Sequence, residues 1–516
     1  MQKILSIILI SFLLVSESVS QTPTEKGLEA ITRNSLEAQL QFLASDWFEG
    51  REATTKGAFM AADYLASLYA DAGVETFLED SYLQDVPLLV AHQPHKATIT
   101  INTNKGERTF DFPTHLRAER VKESFNIEAG LVWGGFGINQ DQLKEINGKN
   151  AKGKILIRLA GLPTGNNDSE LSKLLETKSQ REWNTIKHKV LKESGVVAVL
   201  EYDITNPDRR ESINNQHSIE NASEQEMTIR SSGIYNKSFF LPDDKKQDPY
   251  FYKVSKTLMN ELIPDFDVFL KQYISNLQNL HVPKTVKLNS KSALLSTTAN
   301  VENKSCQNVI AMIEGSEYPN EIIVVGAHYD HLGAYDGYIW NGADDNGTGA
   351  IGTIAIARAF MATGIQPKRT IVFANWTAEE RGLLGSRYFV NEFDEIDKVK
   401  YYHNYDMIGR SKNFEQPDSA VTFIYTAAWK EAEELCRNSN EALNLGLKIQ
   451  YSAWDKPTSG SDNAPFARKG IPIMWFHTGG HESYHMPSDH TERIDWYKFE
   501  SVVKTSFLTL WNLANE

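Results

Sequence analysis

Histidines and carboxylates recur at short intervals between residues 324 and 386, each beside an apolar run or a glycine. Three strings carry them: V-V-G-A-H-Y-D-H-L-G from Val324, N-G-A-D-D-N-G-T-G from Asn341 and N-W-T-A-E-E-R-G-L-L-G-S from Asn375. Two later strings add H-N-Y-D-M, ending at Met407, and S-Y-H-M-P-S-D, ending at Asp489. Imidazoles and carboxylates are the ligands that two neighbouring divalent cations need. The pattern is typical of a metal-dependent hydrolase.

The candidate ligands follow predicted buried strands or lead into a predicted helix. Apolar runs predict strands over 322–327, 370–375, 399–405 and 471–476, and a helix is predicted over 348–362. Ligands gather at the carboxyl ends of the strands in an open α/β sheet, so residues distant in sequence are brought together there. The candidates are two histidines and three carboxylates: His328, His485, Asp345, Asp406 and one of the adjacent pair Glu379 and Glu380.

Five ligands exceed the three that an open catalytic zinc site takes from its protein. The surplus predicts two ions, roughly 3.5–4 Å apart, that share a carboxylate. Nitrogen and oxygen donors suit zinc, with manganese or cobalt as substitutes. One of the adjacent acids Glu379 and Glu380 can bind metal while its neighbour accepts a proton from the bound water. Asp330, two residues after His328, can orient that imidazole. Each string alone is typical of a turn, a cap or a solvated helix end, and only their joint order indicates metal.

Strands and helices alternate from about residue 291 onward. This predicts an α/β fold with a mixed, largely parallel sheet and helices on both faces. Helices are also predicted within 30–78, and a strand pair within 97–115. Short β-like runs and a helix over 183–194 indicate a smaller, β-rich α/β unit. We therefore divide the chain into a leader (1–20), the first segment of the main domain (21–120), an insert with a polar excursion at 205–248 (121–290) and the rest of the main domain (291–516).

The first twenty residues have the pattern of an export signal. Lys3 precedes the apolar run from Ile4 to Val15, which is too short to span a bilayer. Ser18-Val19-Ser20 then forms a cleavage site before Gln21. No later stretch approaches a membrane-spanning helix. We predict a protein that is exported, to the periplasm or the medium, without a transmembrane segment.

Charge and cysteine content exclude other classes. A formal charge of −14 argues against nucleic-acid binding, because phosphate contacts require clustered Lys and Arg. The two cysteines, Cys306 and Cys436, are too few for a disulfide framework or a cysteine zinc site. They can form one bridge or remain as two thiols, and the sequence leaves both alternatives open.

At G-A-H-Y-D-H-L-G, G-A-D-D-N-G-T-G and T-A-E-E-R-G-L-L-G-S the chain resembles the co-catalytic di-zinc aminopeptidases, whose relatives include glutamate carboxypeptidase and glutaminyl cyclase. The resemblance covers 300–500 strongly and 30–90 weakly, through F-L-A-S-D-W-F-E-G-R. It implies that Asp345 bridges two zinc ions, one completed by Glu380 and His485 and the other by His328 and Asp406. It also implies that Glu379 is the general base for a metal-activated water.

Other residues near the strings carry weaker expectations. Tyr484 is interpreted as a stabiliser of the oxyanion or as a packed tyrosine. Ser461, Asp462 and Phe466 match a family segment near the site, where support is expected rather than catalysis. His490 departs from the family, in which Thr more often occupies this position after the counterpart of Asp489.

Residues 125–205 resemble a protease-associated domain in L-V-W-G-G-F-G-I, N-A-K-G-K-I-L-I-R and K-E-S-G-V-V-A-V-L. Such modules are inserted in some relatives and sort substrates by length.

The resemblance implies an exported aminopeptidase that removes N-terminal residues from peptides. One alternative is a carboxypeptidase for acidic C-terminal residues, which would need free cations such as Arg381 or Arg410. Another is a glutaminyl-cyclase-like acyltransferase with one zinc. The third is a catalytically dead, receptor-like binding protein, although all five ligand positions are filled here.

Overall fold

A computed structural model describes residues 21–112, 114–119, 121–205, 237–244 and 249–516. The predicted leader and most of the predicted polar excursion therefore lie outside the described residues. Among the residues described, no helix has the length and apolar character needed to cross a membrane.

The strands range from two residues to more than twenty. In chain order they are β1 (Glu75–Thr76), β2 (Leu83–Thr103), β3 (Gly106–Asp111), β4 (Leu116–Glu119), β5 (Phe125–Trp133), β6 (Asn139–Gln140), β7 (Leu143–Lys144), β8 (Ile155–Leu159), β9 (Ala198–Tyr202), β10 (Lys237–Phe240), β11 (Tyr250–Val254), β12 (Ser292–Ile313), β13 (Tyr318–His328), β14 (Gly333–Tyr335), β15 (Tyr338–Trp340), β16 (Arg369–Trp376), β17 (Val399–Tyr405), β18 (Ala420–Thr426), β19 (Lys448–Trp454) and β20 (Ile473–His477).

The α-helices mostly begin at a residue whose side chain accepts a backbone N–H, as Thr32, Thr55 and Asp495 do. In chain order they are α1 (Pro23–Ala30), α2 (Arg33–Leu43), α3 (Lys56–Asp71), α4 (Gly148–Ala151), α5 (Glu170–Leu175), α6 (Gln180–Ser194), α7 (Lys256–Leu262), α8 (Phe266–Leu277), α9 (Gly349–Ala362), α10 (Leu384–Glu392), α11 (Glu431–Leu443), α12 (Asn463–Arg468) and α13 (Trp496–Asn515).

The main sheet runs in the order β19-β18-β20-β17-β13-β16-β12. Its centre is parallel, since β17, β13 and β16 pair in that sense, whereas β18–β20 and β16–β12 are antiparallel. Along β13, Ile323 and Val325 face one apolar core while Ile322 and Val324 face another. Both faces are covered by helices, which explains why this strand reads as a continuous apolar run. The predicted mixed, largely parallel sheet is confirmed.

The second part of the sheet is attached through β12. Residues 309–313 of this strand pair with β16 in the main sheet, and residues 292–297 pair with β5. From β5 the order continues as β8-β9-β11-β4, around a separate apolar core that includes Trp183, Tyr252 and Phe266. We call this part the smaller unit. Its limits at 121–290 and its likeness to a protease-associated domain stay predictions.

One predicted strand has the expected bounds, and other elements are shifted by one or two residues. The strand at 399–405 matches residue for residue, whereas α9 begins at Gly349, one residue later than predicted, after a π-helical turn over Ala343–Thr348, and the strand predicted at 471–476 covers Ile473–His477. Both cysteines are buried and free, so Cys306 and Cys436 remain as two thiols.

A buried guanidinium joins the N-terminal helices to the loops that follow β13 and β15. Arg51 is fully buried, and its Nε donates to the carbonyl of Tyr329 at 2.6 Å. Its terminal nitrogens donate to the carbonyls of Leu43, Asn341 and Gly342 at 2.6–2.9 Å. Burial lowers the pKa of Arg51 to about 10, while nearby acids oppose that shift. The guanidinium therefore stays charged, and its hydrogen bonds fix both loops.

We expect Arg51→Met to lower the free energy of unfolding by about 3 kcal/mol, because it leaves buried carbonyls without donors. Urea unfolding followed by tryptophan fluorescence measures the change. The matched control is Arg358→Met, which removes a partly exposed guanidinium bonded to Ser35 and Asp71 and should cost less than about 1 kcal/mol. Equal losses in the two variants would contradict this role of Arg51.

Candidate metal site

The five predicted ligands converge at the carboxyl edge of the main sheet. The carboxylate of Asp345 lies between two imidazoles, with Oδ1 3.5 Å from Nε2 of His328 and Oδ2 3.1 Å from Nε2 of His485. Oε2 of Glu380 lies 3.1 Å from the same His485 nitrogen, and Oδ1 of Asp406 lies 3.8 Å from Nε2 of His328. Residues that are up to 157 positions apart in sequence thus form one cluster.

The cluster divides into two neighbouring groups of candidate ligands. One contains His328, Glu379 and Asp406, and the other contains His331, Asp345 and Glu380. Within each group the ligand atoms lie within 4.8 Å of one another, which is the spacing of donors around one ion. His485 adds a second imidazole to the latter group, and Asp345 faces both groups.

The site attracts positive charge. Burial would lower the pKa of His328, but Glu379, Asp406 and Asp345 raise it well above its usual range. Glu380 and Asp345 likewise outweigh burial at His485 and raise its pKa to about 10. The same carboxylates that hold a proton on these imidazoles are suited to hold a metal cation in its place.

The adjacent acids Glu379 and Glu380 differ in their surroundings. Burial raises the pKa of Glu379 well above its usual range, and other carboxylates add to that effect. Burial would also raise the pKa of Glu380, but His485 and His331 hold it well below its usual range. Two carboxyl groups whose pKa values are shifted in opposite directions suit two roles, one as a proton acceptor and one as a permanent anion.

Asp330 lies behind Glu379 as well as behind His328. Its backbone oxygen is 3.1 Å from Nδ1 of His328, whereas its carboxylate is 3.8 Å from that nitrogen. The carboxylate instead accepts the backbone N–H of Glu379 at 3.0 Å. Burial raises the pKa of Asp330 to about 7. The backbone carbonyl of Asp330, rather than its carboxylate, is therefore the closer partner of the His328 imidazole. The carboxylate contacts the loop that carries Glu379.

His331 was not among the residues predicted from the sequence. Its Nδ1 lies 2.9 Å from Oε1 of Glu380 and its ring is fully buried. It lies three positions after His328 in the same string, and this short spacing was the available signal. Burial lowers its pKa against the effect of Glu380, which favours the neutral imidazole.

Comparison with known proteins places this cluster in a family. Residues 308–509 match Peptidase family M28. The chain contains an M28 peptidase domain. All of the clustered residues lie within that match.

Individual curated proteins resemble the chain over part of their length. Leucine aminopeptidase 2 of Trichophyton rubrum is 36% identical over 199 residues, covering 36% of this chain and 37% of the relative. The Glutamate carboxypeptidase 2 homolog of Caenorhabditis elegans is 30% identical over 210 residues, covering 37% and 26%. The chain thus spans little more than a third of the first of these relatives. The solved aminopeptidase from Aneurinibacillus sp. strain AM-1 shares the fold, with a TM-score of 0.53 at 18% identity, over 95% of this chain and 96% of that one.

In the M28 domain, the backbone of the central aspartate is held from behind by a buried polar network. Oδ2 of Asp489 accepts the N–H groups of both Asp344 and Asp345 at 3.0 Å. Its other oxygen lies 3.7 Å from the buried guanidinium of Arg410. The Asp344 carboxylate accepts the N–H of Gly409 at 2.7 Å and lies 3.3 Å from His481. These contacts fix the loop that carries Asp345.

The candidate metal site in the M28 domain is partly exposed to solvent on one side. The side chains of Glu379, Asp406 and His485 are 11–13% exposed, whereas those of His328 and Glu380 are 1% and 5% exposed. Tyr484 is 44% exposed, and its ring stacks on His485 at 3.9 Å. A ligand therefore approaches from the side on which Glu379 and Tyr484 lie.

The supporting residues predicted at 461–466 also reach this region. Asp462 is fully buried, accepts the hydroxyl of Ser386, and burial raises its pKa to about 7. Phe466 stacks on Tyr402 in the adjoining core at 3.9 Å. Ser461 is buried next to Asp406.

We expect Asp489→Ala to weaken metal binding by the M28 domain, although it removes none of the candidate ligands. Two buried N–H groups and a buried guanidinium lose their carboxylate, and the loop bearing Asp345 loses its anchor. Zinc affinity, measured by competition with a chromophoric chelator, should fall at least about tenfold. Asp418→Ala, which removes an exposed partner of Lys498, is the control. Unchanged zinc affinity in Asp489→Ala would contradict the anchoring role.

Proposed function

We propose that the protein is an exported aminopeptidase that uses two zinc ions to remove N-terminal residues from peptides. The observation that carries this proposal is the position of Asp345, with one carboxylate oxygen towards His328 and the other towards His485. A carboxylate placed in this way between two groups of donors is suited to bridge two ions.

The donor set fits zinc. Among the described residues, the buried Oδ2 of Asp345, which belongs to a proposed ligand, has no hydrogen-bond partner. Buried polar atoms without partners are costly unless a ligand or an ion pairs with them. Asp345, Glu380 and His485 would hold one ion, and Asp345, His328 and Asp406 the other. When bound, the ions supply Lewis-acid polarisation of the scissile carbonyl and activation of a water molecule.

The residues of the chain supply the proton transfer and the orientation. Glu379 is the proton acceptor in this proposal, because its raised pKa and its place on the open side suit a group that takes up and returns a proton. Its backbone N–H is fixed on Asp330, which keeps the carboxylate aimed at the site. The Tyr484 hydroxyl keeps its proton, since burial raises its pKa, and can donate to an oxyanion.

The surrounding charges favour a peptide amine over a peptide carboxylate. Arg381 donates to Glu52 at 2.7 Å, and Arg410 contacts Glu482 and Asp489 at 3.2 and 3.7 Å. Both arginines considered for the carboxypeptidase alternative are thus engaged by carboxylates of the protein. The open side carries Glu379 and Asp406, which attract a protonated amino group. The aminopeptidase alternative therefore has the better chemical support.

Export and the module over 125–205 belong to the same proposal. The leader pattern supports export, and the resemblance to a protease-associated domain supports a role of the smaller unit in sorting substrates by length.

The proposal is tested with matched peptides, each offered with a free and an N-acetylated amino terminus. We expect hydrolysis of the free peptides from the N-terminus and a loss of at least about 100-fold on acetylation, because the anchored amine positions the scissile bond. A chelator should abolish the activity, and two equivalents of zinc per chain should restore it. Cleavage of acetylated peptides at an acidic C-terminal residue would support the carboxypeptidase instead. Binding of one zinc ion per chain would favour the acyltransferase alternative, which two bound ions would contradict. No turnover of any peptide by the two-zinc protein would indicate the receptor-like alternative.

Substitution of the proposed base separates chemistry from metal binding. We expect Glu379→Gln to keep both zinc ions and to lower kcat by about 10²–10⁴-fold, the usual contribution of a positioned general base. Elemental analysis and steady-state kinetics measure the two quantities. Glu500→Gln on α13, which pairs with Lys504 on the protein surface, is the control. Full turnover by Glu379→Gln would reject the assignment of the base.

A further inference from the structure

His331 contacts one oxygen of the Glu380 carboxylate and leaves the other oxygen to the rest of the site. Its Nδ1 lies 2.9 Å from Oε1, while Oε2 lies 3.1 Å from Nε2 of His485. The distance from Nδ1 of His331 to Oδ2 of Asp345 is longer, at 3.9 Å. The imidazole thus pairs with Glu380 rather than with the central aspartate.

The position of the His331 ring is fixed by backbone. Its own N–H donates to the carbonyl of Arg51 at 3.3 Å. At Gly342, which has φ of +55°, a Cβ atom would lie 2.5 Å from Cγ of His331 and 2.3 Å from the Asp345 carbonyl oxygen. The ring therefore lies directly against a backbone that only glycine allows. The Gly342 carbonyl is in turn held by Arg51 at 2.8 Å.

We propose that His331 is a positioning residue whose Nδ1, 2.9 Å from Oε1 of Glu380, pairs with that oxygen and so presents Oε2 to a metal ion. This inference rests on the proposed function, in which Glu380 is a ligand. A carboxylate anchored through one oxygen loses less freedom on binding an ion through the other. Residues that orient a metal ligand in this way contribute about 10–100-fold to metal affinity.

The effect is confined to one half of the site. The described side-chain contacts of His331 are with Glu380, Asp345 and His485, whereas His328 and Asp406 belong to the group on the other side of Asp345. The two halves therefore differ, because the half with Glu380 has a second, fully buried imidazole beside its ligand. Loss of His331 should affect the two ions unequally.

Zinc titration against a chromophoric chelator tests this with the full chain. We expect the unaltered protein to bind two ions and His331→Ala to bind one as tightly as before and the other about 10–100-fold more weakly. His331→Asn should recover part of the loss, because its amide N–H occupies the place of Nδ1. His331→Gln, whose amide reaches the place of Nε2, should recover less.

Double variants identify the affected half. Glu380→Gln removes the carboxylate that His331 contacts, so adding His331→Ala should lower the zinc affinity little further. Asp406→Asn weakens the other half, so its effect and that of His331→Ala should add. The assignment to Glu380 would be overturned if the effects of His331→Ala and Glu380→Gln on zinc affinity were additive. It would also be overturned if the effects of His331→Ala and Asp406→Asn were not.

Controls separate the metal effect from folding and from the proposed function. His403→Asn removes another fully buried imidazole, bonded to Ser506 in the core, and should lower stability without changing zinc affinity. If His331→Ala does not fold, tighter zinc binding by the Asn variant than by the Gln variant carries the same test, and equal binding contradicts it. An unaltered protein that binds no zinc would reject the proposed function. Two ions bound equally well with and without His331 would reject only this inference.

Discussion

The structure depends on burying several carboxylates side by side at one edge of the sheet. Charges of the same sign in a medium of low dielectric repel strongly, and each loses its hydration on burial. Burial raises the pKa of some of these acids, whereas imidazoles hold the pKa of others below the usual range. Such a cluster is stable only with compensating positive charge. The acids concerned are Asp330, Asp345, Glu379, Glu380, Asp406 and Asp462.

The compensation comes in part from cations that the chain itself supplies. Arg51 is buried within the electrostatic reach of several of these acids, yet its hydrogen bonds go to backbone carbonyls. Arg410 lies near Asp489, whose carboxylate accepts the N–H groups of the loop carrying Asp345. Both guanidiniums therefore contribute charge at a distance and rigidity through hydrogen bonds, and neither competes with a divalent cation for the ligand oxygens. This division leaves the ligand oxygens at the centre of the cluster available for the zinc ions of the proposed function.

The sequence predicts the parts of this arrangement that arise from strand ends. His328 and Asp406 follow apolar runs covered on both faces, and that pattern is visible in the chain itself. His331 was missed because its role comes from the packing of its ring against Gly342, which no periodicity reveals. The tertiary roles of Arg51 and Asp489 were hidden for the same reason, as their partners are backbone groups of distant loops. The continuous β12 strand was also not predicted, because its middle is polar and only its two ends lie in apolar cores.

The loop bearing the adjacent glutamates also connects the site with β10, which lies between β9 and β11 in the chain and pairs with β2. Arg381, next to Glu380, donates to Glu52, whose other oxygen lies 3.0 Å from Lys237 at the start of β10. The Arg381 guanidinium also lies 5.2 Å from the Phe239 ring centroid. In α10, which follows this loop, Arg387 pairs with Asp244 at 2.9 Å. Strand β10 thus contacts the loop through a cation–π contact, which is stronger where water is excluded, and through the shared partner Glu52. Because Arg381 and Glu380 are adjacent residues, these contacts of β10 lie one residue from the carboxylate that His331 and His485 contact.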